Sequence, residues 1–328
     1  MGNVKKKKLD YIFGPVPSRR LGFSLGVDIV PFKTCTLDCV YCQLGRTAMK
    51  TVKRERYATP KDIVDELSCV LDQGQKVDYI TLSGSGEPTL NSNIGDIIES
   101  IKATVNTPVA VITNGTLLYQ ERVRNTLYRA DLLIPSLDAA TQEVFERINR
   151  PHHSLNVEKI TEGLKTFSRE FRGEMWLEIM LVKGFNDHLD EVEKIKAAVS
   201  EINPQQIQLN TVVRPPAENC AEELSAEELH KVKSILGEKC SIIGQFKNRK
   251  QKTVKMSMKS AIVDLTKRRS VTLSDISNSL GISWPDARKY LKELQEEEVI
   301  RAVVRGGQNY YRQMDESHND KLSKSLGK

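Results

Sequence analysis

Residues 35–42 read Cys35-Thr36-Leu37-Asp38-Cys39-Val40-Tyr41-Cys42, three cysteines in eight residues with C-x3-C-x2-C spacing and an aromatic before the third. Thiolates this close along the chain can converge on one small metal object without a long backbone reversal, and iron–sulfur clusters are held by short cysteine runs of this kind. The count of three is informative. A structural zinc site takes four ligands, usually as two separated pairs, whereas Cys69, Cys220 and Cys240 are scattered and no His-x3-5-His pair supplies the rest. A disulfide framework suits small secreted chains, not 328 residues with six cysteines and no secretory signal. A four-iron cluster on three cysteines keeps one iron open for another ligand.

Outward from the cysteines the chain alternates strand and helix. Residues 11–33 read as short extended pieces, a candidate hairpin, with Arg19 and Arg20 as candidate anion binders against a surface-pair reading. Residues 26–31 are expected to form the strand that delivers the chain into the cysteine loop. Thr59-Pro60-Lys61-Asp62 starts a helix, with a Thr cap, Pro in first position and an acid three residues after the cap. It is expected to end near Gly74. Further strands are expected at 78–82, 109–113, 131–134, 175–182 and 206–212, and helices near 141–148, 154–171, 188–201 and 225–236. Strands alternating with helices imply βαβ units and a parallel sheet, and right-handed crossovers curve such a series into a barrel or part of one. Six strands are too few to close the usual eight-stranded barrel. Ligands bind at the C-terminal ends of parallel strands. There the chain has Ser85, Gly86 and Glu87, then Asn114, then Ser136 and Asp138, then Lys183, and last Asn210. Ordinary turn chemistry also favours Asn-Gly, Ser and Asp at strand ends, and a lysine there is equally an anion ligand or a solvated charge.

The cysteine spacing resembles that of the radical S-adenosylmethionine (radical SAM) superfamily. Gly14-Pro15-Val16-Pro17-Ser18-Arg19-Arg20-Leu21-Gly22, running to Cys42-Gln43-Leu44-Gly45-Arg46-Thr47, resembles the branch grouped with the wyosine-synthase-like proteins, which modify tRNA. The resemblance spans residues 10–245. It implies an α/β fold, an open partial (β/α)6 TIM-like barrel, with a 4Fe–4S cluster on Cys35, Cys39 and Cys42. It implies S-adenosylmethionine chelated by the open iron and cleaved by one electron to a 5′-deoxyadenosyl radical that abstracts hydrogen from a substrate. A flavodoxin- or ferredoxin-like protein would supply the electron. Ser85-Gly86-Glu87 lies where the family has its Gly-Gly-Glu motif, whose backbone bonds the methionine amino group, with Ser85 in place of the first Gly. By family position Asn114, Ser136 and Asp138 reach the ribose or the methionyl carboxylate, and Tyr41 neighbours the adenine. Wyosine synthases form a Schiff base between a lysine and pyruvate, which makes Lys183 a candidate. They also bind a second cluster through cysteines upstream of the first motif. This chain has none before Cys35, which argues against wyosine synthesis.

Hydrophobic content of 39% and charged content of 28% describe an ordinary globular chain, long enough for one large and one small domain. No apolar run reaches the length of a membrane span, so a cytoplasmic location and no membrane partner are expected. Residues 1–10 read as a basic tail; no apolar segment follows the lysine run at 5–8, so it is not a signal peptide. Lys6 stands where N-myristoylation wants Ser or Thr. The net charge of +6 permits nucleic-acid binding without demanding it. The barrel is expected over 11–245, a basic linker over 246–258, a second domain over 259–312 and a tail over 313–328. In that domain one helix covers 259–268. Thr272 with Asp275, and Ser283 with Asp286, cap two more, and a hairpin with a Gly306-Gly307 turn follows. Three helices and a hairpin resemble a winged helix-turn-helix. Arg288, Lys289, Lys292 and Arg305 are its candidate phosphate contacts, opposed by the acidic run Glu296-Glu297-Glu298. The substrate is therefore expected to be a tRNA or another RNA, or a protein or peptide docked on the small domain. A DNA-binding redox regulator is the third reading, opposed by the strand-end motif at Gly86-Glu87. Cys69 is expected to be a structural thiol, and Cys220, in a polar loop, is the stray cysteine that is a candidate for reactivity.

Overall fold

The computed structural model describes residues 11–72, 77–243, 258–268 and 270–314. The basic tail at 1–10, the linker from 246 to 257 and the tail from 315 onward lie outside them. The chain forms two compact units, Met1–Lys247 and Asn248–Lys328.

The first unit opens with an antiparallel hairpin, β1 (Ile12–Ser18) and β2 (Gly22–Val27). A two-residue parallel pair, β3 (Thr34–Cys35) and β4 (Met49–Lys50), brackets the cysteine loop. There follow α1 (Pro60–Leu71), β5 (Tyr79–Leu82), a short 3₁₀ turn (Pro88–Leu90), α2 (Ile94–Thr104), β6 (Val109–Thr113) and α3 (Glu121–Leu127). Then come β7 (Leu132–Pro135), α4 (Gln142–Asn149), α5 (Val157–Glu170), β8 (Glu174–Leu181), α6 (Leu189–Ile202), β9 (Gln206–Thr211), α7 (Ala226–Leu236) and β10 (Cys240–Ile242). One sheet runs β1-β2-β5-β6-β7-β8-β9-β10. Every pairing from β2 onward is parallel.

Six strands were expected and the sheet has eight. β1 adds an antiparallel edge, and β10, three residues that show no periodicity of their own, adds a parallel one. The strand before the cysteines is Gly22–Val27, not 26–31. Beyond Val27 the chain leaves the sheet, and Asp28 turns its carboxylate to the end of β5. The helices α2 and α3 supply two crossovers that were not among the expected segments.

Side chains at alternate strand positions face opposite ways. Leu25, Val27, Ile80, Leu82, Val109, Val111, Leu177, Ile179, Ile207 and Leu209 pack toward the helices in one core. The other face holds Leu21, Ala110, Leu132 and Ile134, with Tyr79, Ile112 and Trp176 against them. From the β1–β2 turn, Arg20 reaches Glu178 on β8 (2.9 Å) and Gln208 on β9 (2.9 Å). β2 and β8 are four strand spacings apart, about 19 Å in a flat sheet, more than one arginine spans. The sheet is therefore curled, with the hairpin turn folded across its concave face.

The second unit has α8 (Met258–Arg268), α9 (Leu273–Leu280), α10 (Trp284–Glu296) and an antiparallel ribbon of β11 (Ile300–Arg305) and β12 (Gln308–Gln313). Thr272 and Ser283 cap α9 and α10 as their sequences predict, and Gly281 ends α9 in the left-handed conformation. Among the described residues no helix is long and apolar enough to cross a membrane.

Candidate functional site

The cysteine loop is stitched to its surroundings by backbone bonds. The last carbonyls of a helix have no partner within it; here those of Ile148 and Asn149 on α4 accept from the N–H groups of Val40 and Asp38. On the other side Lys33 N–H donates to the Ser85 carbonyl, and Glu87 N–H to the Thr34 carbonyl. Gly86 lies so close to Thr34 that a Cβ on it would stand 1.9 Å from the Thr34 oxygen. The glycine was expected to admit a ligand; the close approach it serves is that of β3, the strand carrying Cys35.

Around the sulfurs stand side chains from separate strand and helix ends. Asn114, after β6, donates from Nδ2 to Thr36 Oγ1 (2.7 Å) and toward Cys35 Sγ (3.5 Å). Asn149, ending α4, donates from Nδ2 to Cys39 Sγ (3.3 Å) and to Asp138 Oδ2 (2.8 Å). Tyr41 donates its hydroxyl to the same Asp138 oxygen, while Met180 N–H donates to Oδ1 (2.9 Å). Glu87, 2% exposed, receives Thr89 N–H (3.0 Å), the hydroxyls of Thr89 and Thr113 (2.6 Å each) and Asn114 N–H (2.7 Å). It thereby ties the end of β5 to the end of β6.

Electrostatics follow burial. Each cysteine is partly accessible, yet dense packing around the sulfurs governs them. Burial, with the Glu87 charge, pushes the Cys35 thiol up to about 12. Burial and Asp138 hold Cys39 well above the ordinary thiol range, and burial raises Cys42. Asp138 is raised by burial to about 6 despite its donors Tyr41 and Asn149. Metal-free, these thiols are neutral, so loading iron must displace their protons. The donor set fits a 4Fe–4S cluster: three soft sulfurs near enough to feel one another's charge, with amide donors on two of them. Among the described residues no three His, Cys, Asp or Glu side chains gather into a site for a single metal ion. Cys69 on α1 and Cys220 are exposed, and Cys240 is buried on β10.

The other expected site residues divide. Ser85 gives its hydroxyl to Asp28. Ser136 lines a small pocket with Asn114, Asp138 and Asn149 at the ends of β6 and β7. Asn210 lies on the concave face and donates to Glu178 (3.0 Å), the partner of Arg20. Burial would raise the Glu178 carboxyl, but Arg20 and Asn210 outweigh it and hold it low. Arg20, a candidate anion binder in the sequence, is thus engaged by an internal carboxylate. Lys183 is not brought to the cysteines: half-exposed, it pairs with Glu228 (3.0 Å). In the second unit Arg288, Lys289 and Lys292 are exposed on α10, with Lys292 beside Glu296 (3.7 Å), and Arg305 ends β11. The sequence reading missed Asn149, Thr36 and Glu178. Asn149 is 110 residues from Cys39, and no local pattern links them.

Comparison with known proteins bears on this geometry. The model of the radical SAM superfamily matches residues 29–196. A UPF0026 protein of Methanocaldococcus jannaschii is 34% identical over 86% of this chain and 90% of its own length. A Brachyspira hyodysenteriae protein named GTPase Obg is 36% identical over 92% of this chain, but the chain spans 45% of that protein. A dual-specificity RNA methyltransferase, RlmN of Geotalea uraniireducens, is 26% identical over 53% of this chain and 50% of its own. A radical SAM methyltransferase structure from Sphaerobacter thermophilus superposes with a TM-score of 0.51 at 15% identity, over 67% of this chain and 65% of its own, a likeness of fold. The chain belongs to the radical SAM superfamily, enzymes that work with a 4Fe–4S cluster and S-adenosylmethionine, and within it to the UPF0026 proteins.

Proposed function

We propose that Cys35, Cys39 and Cys42 hold the 4Fe–4S cluster, that the strand ends beside them hold S-adenosylmethionine, and that the radical abstracts hydrogen from an RNA, which is thereby modified. When bound, the cluster supplies the electron that cleaves S-adenosylmethionine. The chain's own groups do the rest. Asn114 and Asn149 donate to two of the three sulfurs and so stabilise negative charge there. Tyr41, fixed by Asp138, sets the loop between Cys39 and Cys42 against the ends of β7 and β8. Glu87 holds the turn at which Asn114 begins. Ser85, Ser136 and Asn210 are the remaining proposed contacts of the cofactor; Gly86 is left out, because the backbone it lies against is that of Thr34. Lys183 is left out, because Glu228 holds its ammonium at the surface.

The observation that carries the RNA reading is the similarity to an RNA methyltransferase. The second unit supports it: three helices, two of them capped, and a ribbon have the make-up of a winged helix, and Arg288, Lys289 and Arg305 lie on the third helix and the ribbon. Glu296, Glu297 and Glu298 at the end of α10 favour the second reading, a basic peptide docked there. The test is nucleoside mass spectrometry of tRNA and ribosomal RNA from wild-type and deletion strains. The reading expects one modified nucleoside to vanish and return on complementation. Identical profiles overturn it.

A further inference from the structure

Where the cysteine loop meets the end of α4, three cations stand around one carboxylate. Arg46, four residues after Cys42, donates from Nε to Glu218 Oε1 (2.9 Å). Arg150, the residue after Asn149, donates from Nη1 to the same oxygen (2.8 Å). The Lys50 ammonium lies beside them, on the Arg150 carbonyl (3.1 Å). Among the described residues no second carboxylate meets these three groups. The arginine side chains stay open to solvent, 72% exposed for Arg46 and 35% for Arg150. The shortage of negative charge registers on His152, whose imidazole is held below its ordinary value by burial, by His153 and by Lys50. Glu218 itself comes from the loop after β9. Leu224 N–H ties the end of that loop to Thr211 Oγ1 (3.0 Å), and Glu218 N–H donates to the Val40 carbonyl between Cys39 and Cys42 (3.0 Å).

A guanidinium is a planar fork suited to two-point contact with a carboxylate or a phosphate. These two forks make one contact each with the carboxylate, both on one oxygen, and Glu218 Oε2 takes no bond from a described residue. Arg150 and Arg46 hold the Glu218 carboxyl below its ordinary value, so it is charged at neutral pH. It still leaves the other donors of both arginines to solvent and the ammonium of Lys50 without a counter-charge. We infer that Arg46, Arg150 and Lys50 form a phosphodiester site at the rim of the cysteine loop, which Glu218 fills in the free chain and yields to a backbone phosphate of the substrate. That the phosphate belongs to an RNA rests on the RNA reading of the function. A phosphodiester presents two non-bridging oxygens, one for each guanidinium, and carries the same charge as the carboxylate it replaces. Exposed ion pairs contribute little, so Glu218 is displaced at small cost, and the bound phosphate releases counterions from the RNA. An acidic peptide would offer only another carboxylate, the group already there. The exchange is non-covalent, and no bond forms or breaks. Its place gives it a use: Arg150 adjoins Asn149, the donor to Cys39 Sγ, so a phosphate held there sets the RNA beside the cysteine loop.

The experiment follows, by fluorescence anisotropy, the binding of a short labelled single-stranded RNA to the iron-loaded full chain, with an uncharged-backbone oligomer of the same sequence as control. Glu218→Gln keeps the backbone bond to Val40 and removes the competing charge. Its affinity for the RNA is expected to rise about two- to thirtyfold, where a clasp that serves structure alone would leave it unchanged or lower it. Arg46→Gln with Arg150→Asn is expected to weaken binding and to flatten the slope of log affinity against log salt by about 1. Asparagine is chosen because residue 150 is left-handed (φ 44°), a backbone that Asn tolerates. The uncharged oligomer is expected to bind every chain alike. If the double variant loses iron, Lys50→Gln, a change to an exposed side chain, gives the same slope readout. Wild-type affinity in Glu218→Gln overturns the proposal, and so does a wild-type salt slope in the arginine double variant. Adenosine monophosphate, tested as a competitor, separates the sources. If it binds Glu218→Gln more tightly than wild type while the RNA binds neither, the phosphate site stands and the RNA reading has failed. If neither probe binds any of the chains, the site is overturned.

Discussion

Glu87, from the strand-end motif, is buried beside the cysteine loop, and its replacement has consequences that can be worked out in advance. Its carboxylate is buried and receives four hydrogen bonds, two from backbone N–H groups and two from hydroxyls. In Glu87→Gln the carbonyl can replace Oε1, which serves Thr89 and Thr113. The amide NH2 then confronts the Asn114 N–H, donor against donor. One buried N–H left without an acceptor costs about 1–3 kcal/mol. Glu87→Ala strands two, those of Asn114 and Thr89, while the threonine hydroxyls can rotate to other acceptors. Removing a carboxyl that burial has already raised returns part of its desolvation cost, so about 2–4 kcal/mol is expected. The order of stability is wild type, then Gln, then Ala. The chain has two tryptophans, Trp176 in the first unit and Trp284 in the second. In a Trp284→Phe background, urea unfolding followed by Trp176 fluorescence therefore reports the unit that contains Glu87. With a slope of about 2–3 kcal/mol/M for a unit of this size, the Ala midpoint falls by about 1 M. Because Asn114 also donates toward Cys35, bound iron falls with it. An unchanged urea midpoint in Glu87→Ala refutes the role assigned here.

Other outcomes follow from the same geometry. Gly86→Ala sets a Cβ against the Thr34 carbonyl, overpacking that costs about 1–3 kcal/mol; iron per chain after reconstitution is expected to drop, and wild-type iron content would contradict the close approach. Asn149→Ala removes a donor to Cys39, so the cluster's reduction potential is expected to fall. A neutral hydrogen bond of about 0.5–1.5 kcal/mol bounds the fall at about 20–60 mV for one electron, read by potentiometric titration. Arg20→Leu leaves Glu178 buried without its cation, a loss of about 3–5 kcal/mol at neutral pH. In the wild type Glu178 is held low, so its contribution is present above the ordinary carboxylate pKa and lost as pH falls through the folded value. In the variant burial dominates, the folded value rises, and stability falls as pH rises above the ordinary value. The deficit should therefore shrink on acidification toward pH 4, and a pH-independent deficit would count against the pairing.

What was legible in the sequence was local. The strand at 109–113 announces itself as a β-branched run ending in Asn-Gly, and the caps at Thr59, Ser225, Thr272 and Ser283 each accept the N–H three residues on. The cysteine loop declared its chemistry through spacing alone. What was not legible depends on the sheet's curl. Arg20 finds Glu178 158 residues away, and Asn149 finds Cys39, only because the ends of separate βα units converge. Gly86 looked like a place for a ligand because a glycine pattern does not say which backbone comes near.

The most direct test of the site is anaerobic. The reconstituted chain is reduced with dithionite, given S-adenosylmethionine, and assayed together for 5′-deoxyadenosine and iron. The account predicts about four iron atoms per chain, 5′-deoxyadenosine from the wild type, and neither from Cys39→Ala. Undiminished 5′-deoxyadenosine from Cys39→Ala, or none from a wild-type chain that holds its full iron, would contradict it.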